Sequence, residues 1–243
     1  MNLSRATWTD IEACETDLAM VPIGSTEQHG PHAPLGTDWM TATAVAESAS
    51  DRYSEEVIVA PTIPVGIAEE HRHFPGTMWV SEDTFRSYVR ESVASLAYHG
   101  FDRVVLVNGH GGNIDALREV AGTITRHDEV YAVPFTWFDA VGDHGNNMGH
   151  GGPLETALIK HIDDELIRND RLDVAAAGSA DGWGDWVSGT NLAYDSSEFT
   201  DNGVVGDPRG GDEQLGSELL ELATEALIDL LDAVAARDSS SRR

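Results

Sequence analysis

Val104-Val-Leu-Val107-Asn-Gly-His-Gly-Gly-Asn113 is the stretch that decides the fold, because an apolar β-branched run leads directly into a glycine-rich polar loop. A continuous apolar run of this kind is typical of a strand buried on both faces of a parallel sheet. Helical spacing follows over Ile114–His127. The segment therefore predicts a strand–loop–helix unit of an α/β domain.

The same alternation of strand-like runs and helical patterns extends along the chain in both directions. It predicts an α/β fold, a three-layer α/β/α sandwich with a mostly parallel central sheet. The predicted strands are Leu18–Ile23, Val57–Ile63, Val104–Val107 and Val130–Phe135. The predicted helices are Trp39–Tyr53, Glu82–His99, Ile114–His127, Pro153–Ile167 and Glu213–Ala236.

The length of 243 residues and the hydrophobic content of 41% suit one domain, residues 1–236, followed by a polar tail, residues 237–243. Residues 178–211 are rich in glycine, aspartate and serine, and predict a long loop region. Loops of this length in compact domains are usually functional or disordered. Because Trp183, Trp186 and Tyr194 lie in it, we expect an ordered lid or an interface.

The charge balance is strongly acidic, with 42 acidic against 15 basic residues and a net charge of −27. Such a field opposes binding to nucleic acid and to anionic membranes. The periodic apolar segments argue against disorder. Dense salt screens the self-repulsion of an acidic shell, so we expect a halophilic source with a salt-rich cytoplasm.

Cys14 is the single cysteine, which excludes a disulfide framework and a thiolate zinc site. The first twenty residues carry acids and no long apolar run, and no stretch of the chain could span a bilayer. These features predict a cytoplasmic protein.

Polar motifs follow the predicted strands or enter the predicted helices at four places. In parallel sheets, binding sites form beyond the carboxyl ends of the strands. The motifs supply carboxylates and imidazoles, a ligand set that suits Zn²⁺, Mn²⁺ or Fe²⁺. They are Gly24–His32, Gly36–Asp38, Asn108–Asn113 and Gly149–Thr156.

Each of these residues also has an ordinary structural explanation. Asp38 and Asn113 could cap helices, and Glu155 could complement a helix dipole. His110 alone could be a loop histidine with satisfied hydrogen bonds. Taken together, however, five metal-type residues at strand ends of one domain favour a metal site.

Residues 22–38, PIGSTEQHGPHAPLGTD, resemble the signature of the creatininase family. Residues 74–77, 108–113 and 150–156 resemble three further motifs of the family, in the family's order. The resemblance extends over roughly residues 18–170. It implies an α/β/α sandwich with a binuclear metal centre, and a homo-oligomer, which is a hexamer in related enzymes.

The resemblance also implies a role for each ligand. Glu27 and His110 would bind one of two divalent ions, His29 would bind the other, and Asp38 would bridge them. Creatininase itself has a glutamate where this chain has Gly112, so the resemblance points to Glu155 as the carboxylate of the second ion.

The catalytic residues are predicted to be His150 and Glu155. His150 is the candidate for moving a proton to the leaving nitrogen, because an imidazole titrates near neutral pH; a role in orienting a neighbour is the alternative. Glu155 acts through the ion that it would bind. The candidates for substrate binding are His32, His71, Arg72 and Asn108.

The substrate implied is a small-molecule amide, hydrolysed at a non-peptide C–N bond. Family members process creatinine, a modified peptide in mycofactocin maturation, or a formamidopyrimidine ribonucleotide in archaeal flavin and deazaflavin biosynthesis. The acidic composition favours the last, a deformylase for which Arg72 and Arg209 are the available phosphate partners.

Two other classes of function stay open. The chain could be a non-catalytic metal-binding module, which would bind metal without hydrolysing either formamides or lactams. Residues 108–112 could instead form a nucleotide-phosphate loop, although they lack the full glycine pattern of dinucleotide sites and the Gly-Lys-Ser/Thr ending of P-loops.

Overall fold

The computed structural model describes residues 1–237. Its central sheet has four strands, all parallel, in the order β2-β1-β3-β4. The strands are β1 (Leu18–Ile23), β2 (Ile58–Val59), β3 (Arg103–Asn108) and β4 (Tyr131–Thr136). A two-stranded antiparallel hairpin, β5 (Trp186–Val187) and β6 (Thr190–Asn191), lies outside this sheet.

Strands β1 and β3 are in register over their whole length, from Leu18 opposite Arg103 to Ile23 opposite Asn108. Because the two strands end at the same level, the loops that follow them begin side by side. This register brings the first and third sequence motifs to one edge of the sheet.

Helices cover both faces of the sheet, and alternate residues of β1 face opposite layers. The helices are α1 (Trp8–Glu12), α2 (Thr37–Arg52), α3 (Glu82–Tyr98), α4 (Ile114–His127), α5 (Pro153–Asp163), α6 (Leu172–Ala177) and α7 (Glu213–Ala235). Leu18 and Met20 pack in a core with α2, α5 and α7, while Ala19, Val21 and Ile23 pack in a second core with α3 and α4. The predicted three-layer α/β/α sandwich is confirmed.

Helix α3 illustrates how the sequence forms these layers. Ser81 caps its first turn by accepting a hydrogen bond from the Thr84 amide. Phe85, Val89 and Val93 then recur at helical spacing and are buried. Each such side chain stabilises the fold by about 1.5–3 kcal/mol through burial alone.

Two predicted elements are shorter than expected. The predicted strand over residues 57–63 pairs as a strand only at β2, although the Ala60 and Ile63 amides still bond to β1 carbonyls. Pro61 has no amide hydrogen to donate, and the ladder is interrupted there. The helix from Pro153 ends at Asp163 instead of Ile167, and a 3₁₀ turn follows.

Residues 178–211 form an ordered segment that packs against the fourth motif. His150 and Val205 exchange two backbone hydrogen bonds, of 3.0 and 2.8 Å. Short 3₁₀ turns occur at Ser196–Glu198 and Pro208–Gly210. This segment is therefore attached to the same edge of the sheet as the predicted ligands.

No helix within residues 1–237 is long and apolar enough to cross a membrane. Of the predicted polar tail, residues 238–243 lie outside the described residues. The assignment of residues 1–236 to one domain stays a prediction.

Candidate metal centre

Loops from four places in the chain bring three carboxylates and two imidazoles together. Glu27 and His29 follow β1, and His110 follows β3. Asp38 and Glu155 lie in the first turns of α2 and α5. All five residues are buried, and their side chains form one cluster.

The first group of ligands consists of Glu27, Asp38 and His110. His110 Nδ1 lies 3.2 Å from Glu27 Oε1 and 3.2 Å from Asp38 Oδ2. One donor atom from each of the three residues lies within 4.8 Å of the others. This group can surround one ion.

The second group lies on the other side of Asp38. His29 Nε2 is 3.0 Å from Asp38 Oδ1 and 3.6 Å from Glu155 Oε1. Since Oδ1 of Asp38 faces one imidazole and Oδ2 faces the other, its carboxylate stands between the two groups. This is the placement that a bridging ligand needs.

Backbone carbonyls determine which nitrogen of each neutral imidazole carries the proton. His110 Nε2 donates to the Ile67 carbonyl over 2.5 Å, and His29 Nδ1 donates to the Glu27 carbonyl over 3.1 Å. A carbonyl oxygen only accepts, so each neutral ring keeps a lone pair on the nitrogen that faces the carboxylates. Both rings are oriented as metal ligands.

The buried carboxylates of the centre create a strongly negative potential. Burial alone would lower the pKa values of His29 and His110, but the surrounding carboxylates raise both pKa values well above the ordinary range. Burial would raise the pKa of Asp38, but these two imidazoles hold it well below its usual value. No lysine or arginine among residues 1–237 is buried to neutralise the carboxylates.

Several buried oxygen and nitrogen atoms that could bind a metal ion have no hydrogen-bond partner at the centre. They are both carboxylate oxygens of Glu27, Nε2 of His29 and Oδ2 of Asp38. Buried polar groups are normally paired, and buried charges are normally paired or coordinate metals. The orphaned atoms and the mixed oxygen and nitrogen donors fit a pair of divalent ions such as Zn²⁺, Mn²⁺ or Fe²⁺.

Two further imidazoles, His71 and His150, stack beside the centre with ring centroids 4.2 Å apart and planes 18° apart. Their facing nitrogens lie 3.5 Å (His71 Nε2) and 3.7 Å (His150 Nδ1) from Glu27 Oε1. Burial, followed by neighbouring histidines, lowers the pKa of both rings. These shifts favour the neutral form of both rings.

A cavity of about 320 Å³ opens onto this centre. The Trp183 ring packs edge-on against His71, His150 and Phe199, with centroids 5.3–6.0 Å apart, and covers one side of the cavity. Its wall includes Glu70, His71, His110, His150, Glu155 and Trp183. The space suits a small polar group beside the ligands.

The family model described as "Creatininase: Creatinine amidohydrolase" matches residues 4–231. The chain belongs to the creatininase family. Its sequence motifs, its layered fold and its candidate ligands are thus features of one family, and the predicted family resemblance is confirmed.

Three curated relatives have different activities. A mycofactocin precursor peptide peptidase of Mycobacterium ulcerans is 36% identical, over 66% of this chain and 63% of its own length. A creatinine amidohydrolase of Pseudomonas putida is 30% identical, over 68% of this chain and 73% of its own length. A 2-amino-5-formylamino-6-ribosylaminopyrimidin-4(3H)-one 5′-monophosphate deformylase of Methanobrevibacter ruminantium is 25% identical, over 91% of both chains.

A solved structure described as "Creatininase Mn" has a TM-score of 0.79 with this chain, at 22% identity. The match covers 97% of this chain and 99% of that one. At this identity the similarity establishes the shared fold alone.

Gly112, the departure noted in the sequence, is required by the local packing. A Cβ atom there would overlap the Ile67 carbonyl oxygen and His110 Nε2, and would approach Glu70 Oε1 to 3.2 Å. No side chain fits at this position unless the loop moves. Glu155 instead brings a carboxylate to the His29 side of the centre, which supports its assignment as a ligand.

The alternative explanations of Asp38, Asn113 and Glu155 as helix caps or helix-dipole partners apply only in part. Asp38 does not cap α2, because Gly36 occupies that position and Asp38 is already helical. Asn113 occupies the N-cap position of α4 but its side chain makes no capping bond, because Oδ1 accepts from the Ile67 amide and Nδ2 donates to the Gly24 carbonyl. The two oxygens of Glu155 face different partners: Oε2 accepts from the Gly151 amide over 2.6 Å, while Oε1 faces His29.

Of the four predicted substrate-binding residues, His71 alone lines the cavity. His32 is fully buried and bonded to Thr156, and burial, followed by the nearby His29, lowers its pKa to about 4. Asn108 is fully buried, and its amide holds the backbone of His110. Both residues are buried outside the cavity wall, and their predicted contact with a substrate stays a prediction.

The substrate-binding role of Arg72 also stays a prediction. Its guanidinium lies at the surface and pairs with Asp195 at 2.8 Å and Glu69 at 3.3 Å. It does not line the cavity. Two surrounding carboxylates already hold this cation, so its availability to a substrate is reduced.

Two residues at the site were missed by the sequence analysis. Gln28 lies between two predicted ligands, and nothing in its spacing distinguishes it from a solvent-exposed loop residue. Glu70 lines the cavity, and burial raises the pKa of its carboxyl group. Its position directly before His71 was the available signal.

Proposed function

We propose that this chain is a binuclear-metal amidohydrolase that hydrolyses a formamide or cyclic amide by attack of a metal-activated water. The observation that carries the proposal is the position of Asp38 between the Glu27–His110 pair and the His29–Glu155 pair. Two bound divalent ions would lower the pKa of a shared water and polarise the amide carbonyl. The protein residues hold the centre, orient the amide and move one proton.

His150 is the residue placed to move that proton. Its Nε2 donates to the Gln28 carbonyl over 2.5 Å, so a lone pair remains on Nδ1 facing the centre. Burial lowers the pKa of this ring, which favours the neutral form that can accept a proton. It can take a proton from the attacking water and deliver it to the leaving nitrogen.

The surroundings of the cavity favour a substrate without a phosphate group. An adjoining groove of about 750 Å³ meets the cavity at Trp183 and is lined by Asp181 and Asp207, without a lysine or arginine from residues 1–237. Arg209, the other predicted phosphate partner, pairs with Asp207 at 2.7 Å and Asp173 at 3.6 Å. A compact, unphosphorylated amide is therefore the first candidate.

The formamidopyrimidine ribonucleotide is the second candidate. It is favoured by the alignment with a curated deformylase over 91% of both chains. The mycofactocin peptidase is more similar in sequence, but that alignment spans 63% of the relative's length. Creatinine is disfavoured by Gly112, where creatininase has a glutamate.

The test is a hydrolysis assay of the protein loaded in turn with Zn²⁺, Mn²⁺ and Fe²⁺. The substrates are the formamidopyrimidine nucleotide, the same nucleoside without its phosphate, creatinine and a short peptide. We expect the nucleoside to be hydrolysed at least as fast as the nucleotide. Binding of two ions without hydrolysis of any amide would instead support a non-catalytic metal-binding module.

The homo-oligomer, the cytoplasmic location and the adaptation to salt stay predictions. Size-exclusion chromatography with light scattering, across a range of salt concentrations, tests the first and third together. A hexamer that dissociates or unfolds in dilute buffer is the expected result.

A further inference from the structure

The side-chain amide of Gln28 has a fixed orientation. The Gly30 amide donates to Gln28 Oε1 over 2.9 Å, and Gln28 Nε2 donates to the Gly203 carbonyl over 3.0 Å. A backbone amide only donates and a carbonyl only accepts, so neither contact allows the oxygen and nitrogen to exchange places. Gly203 permits this approach, because a Cβ there would overlap the Gln28 amide.

This orientation decides which nitrogen of His71 carries the proton. Gln28 Nε2 lies 2.8 Å from His71 Nδ1, and its second hydrogen is directed at that nitrogen. Nδ1 must therefore accept, and the neutral ring carries its proton on Nε2. The Ser196 hydroxyl, 3.0 Å from the same Nδ1, can donate to the Glu70 carbonyl and is not needed to set the tautomer.

The proton on His71 Nε2 lies on the side of the candidate metal centre. His71 is 1% exposed, and Nε2 has no hydrogen-bond partner even though Glu27 Oε1 is 3.5 Å away. A buried N–H group without a partner is rare and calls for a ligand. The cavity that it lines is where the amide would bind.

The stacked His150 ring has the opposite polarity, and Gln28 sets this too. The Gln28 backbone carbonyl accepts from His150 Nε2, which leaves a lone pair on Nδ1. One residue therefore presents a donor and an acceptor side by side, on two rings with centroids 4.2 Å apart.

We propose that Gln28 holds His71 as a neutral hydrogen-bond donor, whose Nε2–H binds the amide oxygen as negative charge develops on it during hydrolysis. His71 is then a catalytic residue that keeps its proton throughout, and Gln28 is a positioning residue. This inference rests on the proposed amide hydrolysis. His71 is then not a metal ligand, although one of its ring nitrogens lies within 4.8 Å of possible ligand atoms of Glu27 and His150.

The test begins with nitrogen-15 NMR of the zinc-loaded protein with labelled histidine. The His71 signals are assigned by their absence in His71→Asn. We expect the proton on Nε2 and a lone pair on Nδ1. A His71 Nε2 that is unprotonated or zinc-bound would overturn the proposal, and this measurement requires no activity.

The second step reverses the hydrogen bond. In Gln28→Glu the carboxylate accepts where the amide donated, so the His71 proton should move to Nδ1. We expect kcat to fall about 10²-fold, as when one oxyanion donor is removed, with KM and zinc content unchanged. Ser196→Ala removes the other neighbour of Nδ1 and should leave the tautomer unchanged.

The outcomes are distinguishable. If Gln28→Glu keeps the wild-type tautomer, or loses no more kcat than Ser196→Ala, Gln28 does not position His71. If the wild-type protein hydrolyses no amide while the tautomer is as expected, the proposed hydrolysis fails. In that case the assignment of Gln28 as the residue that fixes the His71 tautomer still stands.

Discussion

Two regions build the candidate site in different ways. The ligand loops, which carry Glu27, His29, Asp38, His110 and Glu155, begin where strands end or helices start. The cover segment, residues 178–211, has two strands of two residues each and reaches the site through Trp183, Ser196 and Gly203. The comparison indicates that regular elements place the metal ligands, while an irregular segment shapes what surrounds them.

The largest effect is expected in the ligand loops, from Asp38→Ala. Loss of the carboxylate between the two groups should remove both ions and lower kcat/KM at least about 10³-fold, equivalent to about 4 kcal/mol of transition-state stabilisation. Elemental analysis and the amide assay measure the two losses. Asp115→Ala, an exposed acid in the first turn of α4, is the control and should change neither. Two ions retained per Asp38→Ala chain would contradict the bridging role.

Metal removal should also destabilise the fold. Without ions, three carboxylates lie buried with only imidazoles to neutralise them. Ions at about one hundred times their Kd would each contribute about 2.7 kcal/mol, so a chelator that removes both should lower Tm by about 10–20 °C. Thermal unfolding with and without chelator, at constant high salt, measures the shift. In Asp38→Ala the chelator should have no further effect, and an equal shift in that variant would place the ions elsewhere.

A smaller effect is expected from Gly203→Ala in the cover segment. The added methyl group would displace the Gln28 amide, and we expect kcat to fall about 10-fold with metal content unchanged. Gly189→Ala is a matched control, because its φ of +82° is close to the +84° of Gly203 and no atom lies within 4 Å of its Cβ. Equal effects of the two substitutions would indicate backbone strain instead of a contact with Gln28.

The smallest effect is expected from Trp183→Ala. Its ring covers the cavity without approaching the ligands, so the change should raise KM about 5-fold, equivalent to about 1 kcal/mol, and leave kcat largely intact. Tyr194→Ala, an equally aromatic but 86% exposed residue of the same segment, should leave KM unchanged. A fall in kcat without a change in KM would mean that Trp183 acts on the chemistry.

The same contrast explains what the sequence could predict. The apolar run of β3 and the glycines after it identified both a strand and a ligand loop, because burial and backbone geometry restrict local sequence. Apolar content alone predicts that the second strand extends to Ile63, but the strand is shorter because Pro61 cannot donate a hydrogen bond. The role of Gln28 was not predictable, because it depends on Gly203, 175 residues away in the chain.

Asn108 and Arg72 show that the sequence also does not reveal which partners a polar side chain contacts. A polar residue in a conspicuous motif can serve the substrate or the backbone, and the sequence does not say which hydrogen bonds it makes. Asn108 holds the His110 loop, and Arg72 pairs with Asp195, 123 residues further along. Long-range partners of this kind have no local signal.

Anomalous X-ray diffraction from crystals loaded with Zn²⁺ or Mn²⁺ would test the central claim most directly. We expect two peaks about 3.5–4 Å apart, as in other two-metal sites, with the Asp38 carboxylate between them. Glu27 and His110 should contact one peak, and His29 and Glu155 the other. A single peak, or two peaks that do not share Asp38, would contradict the account.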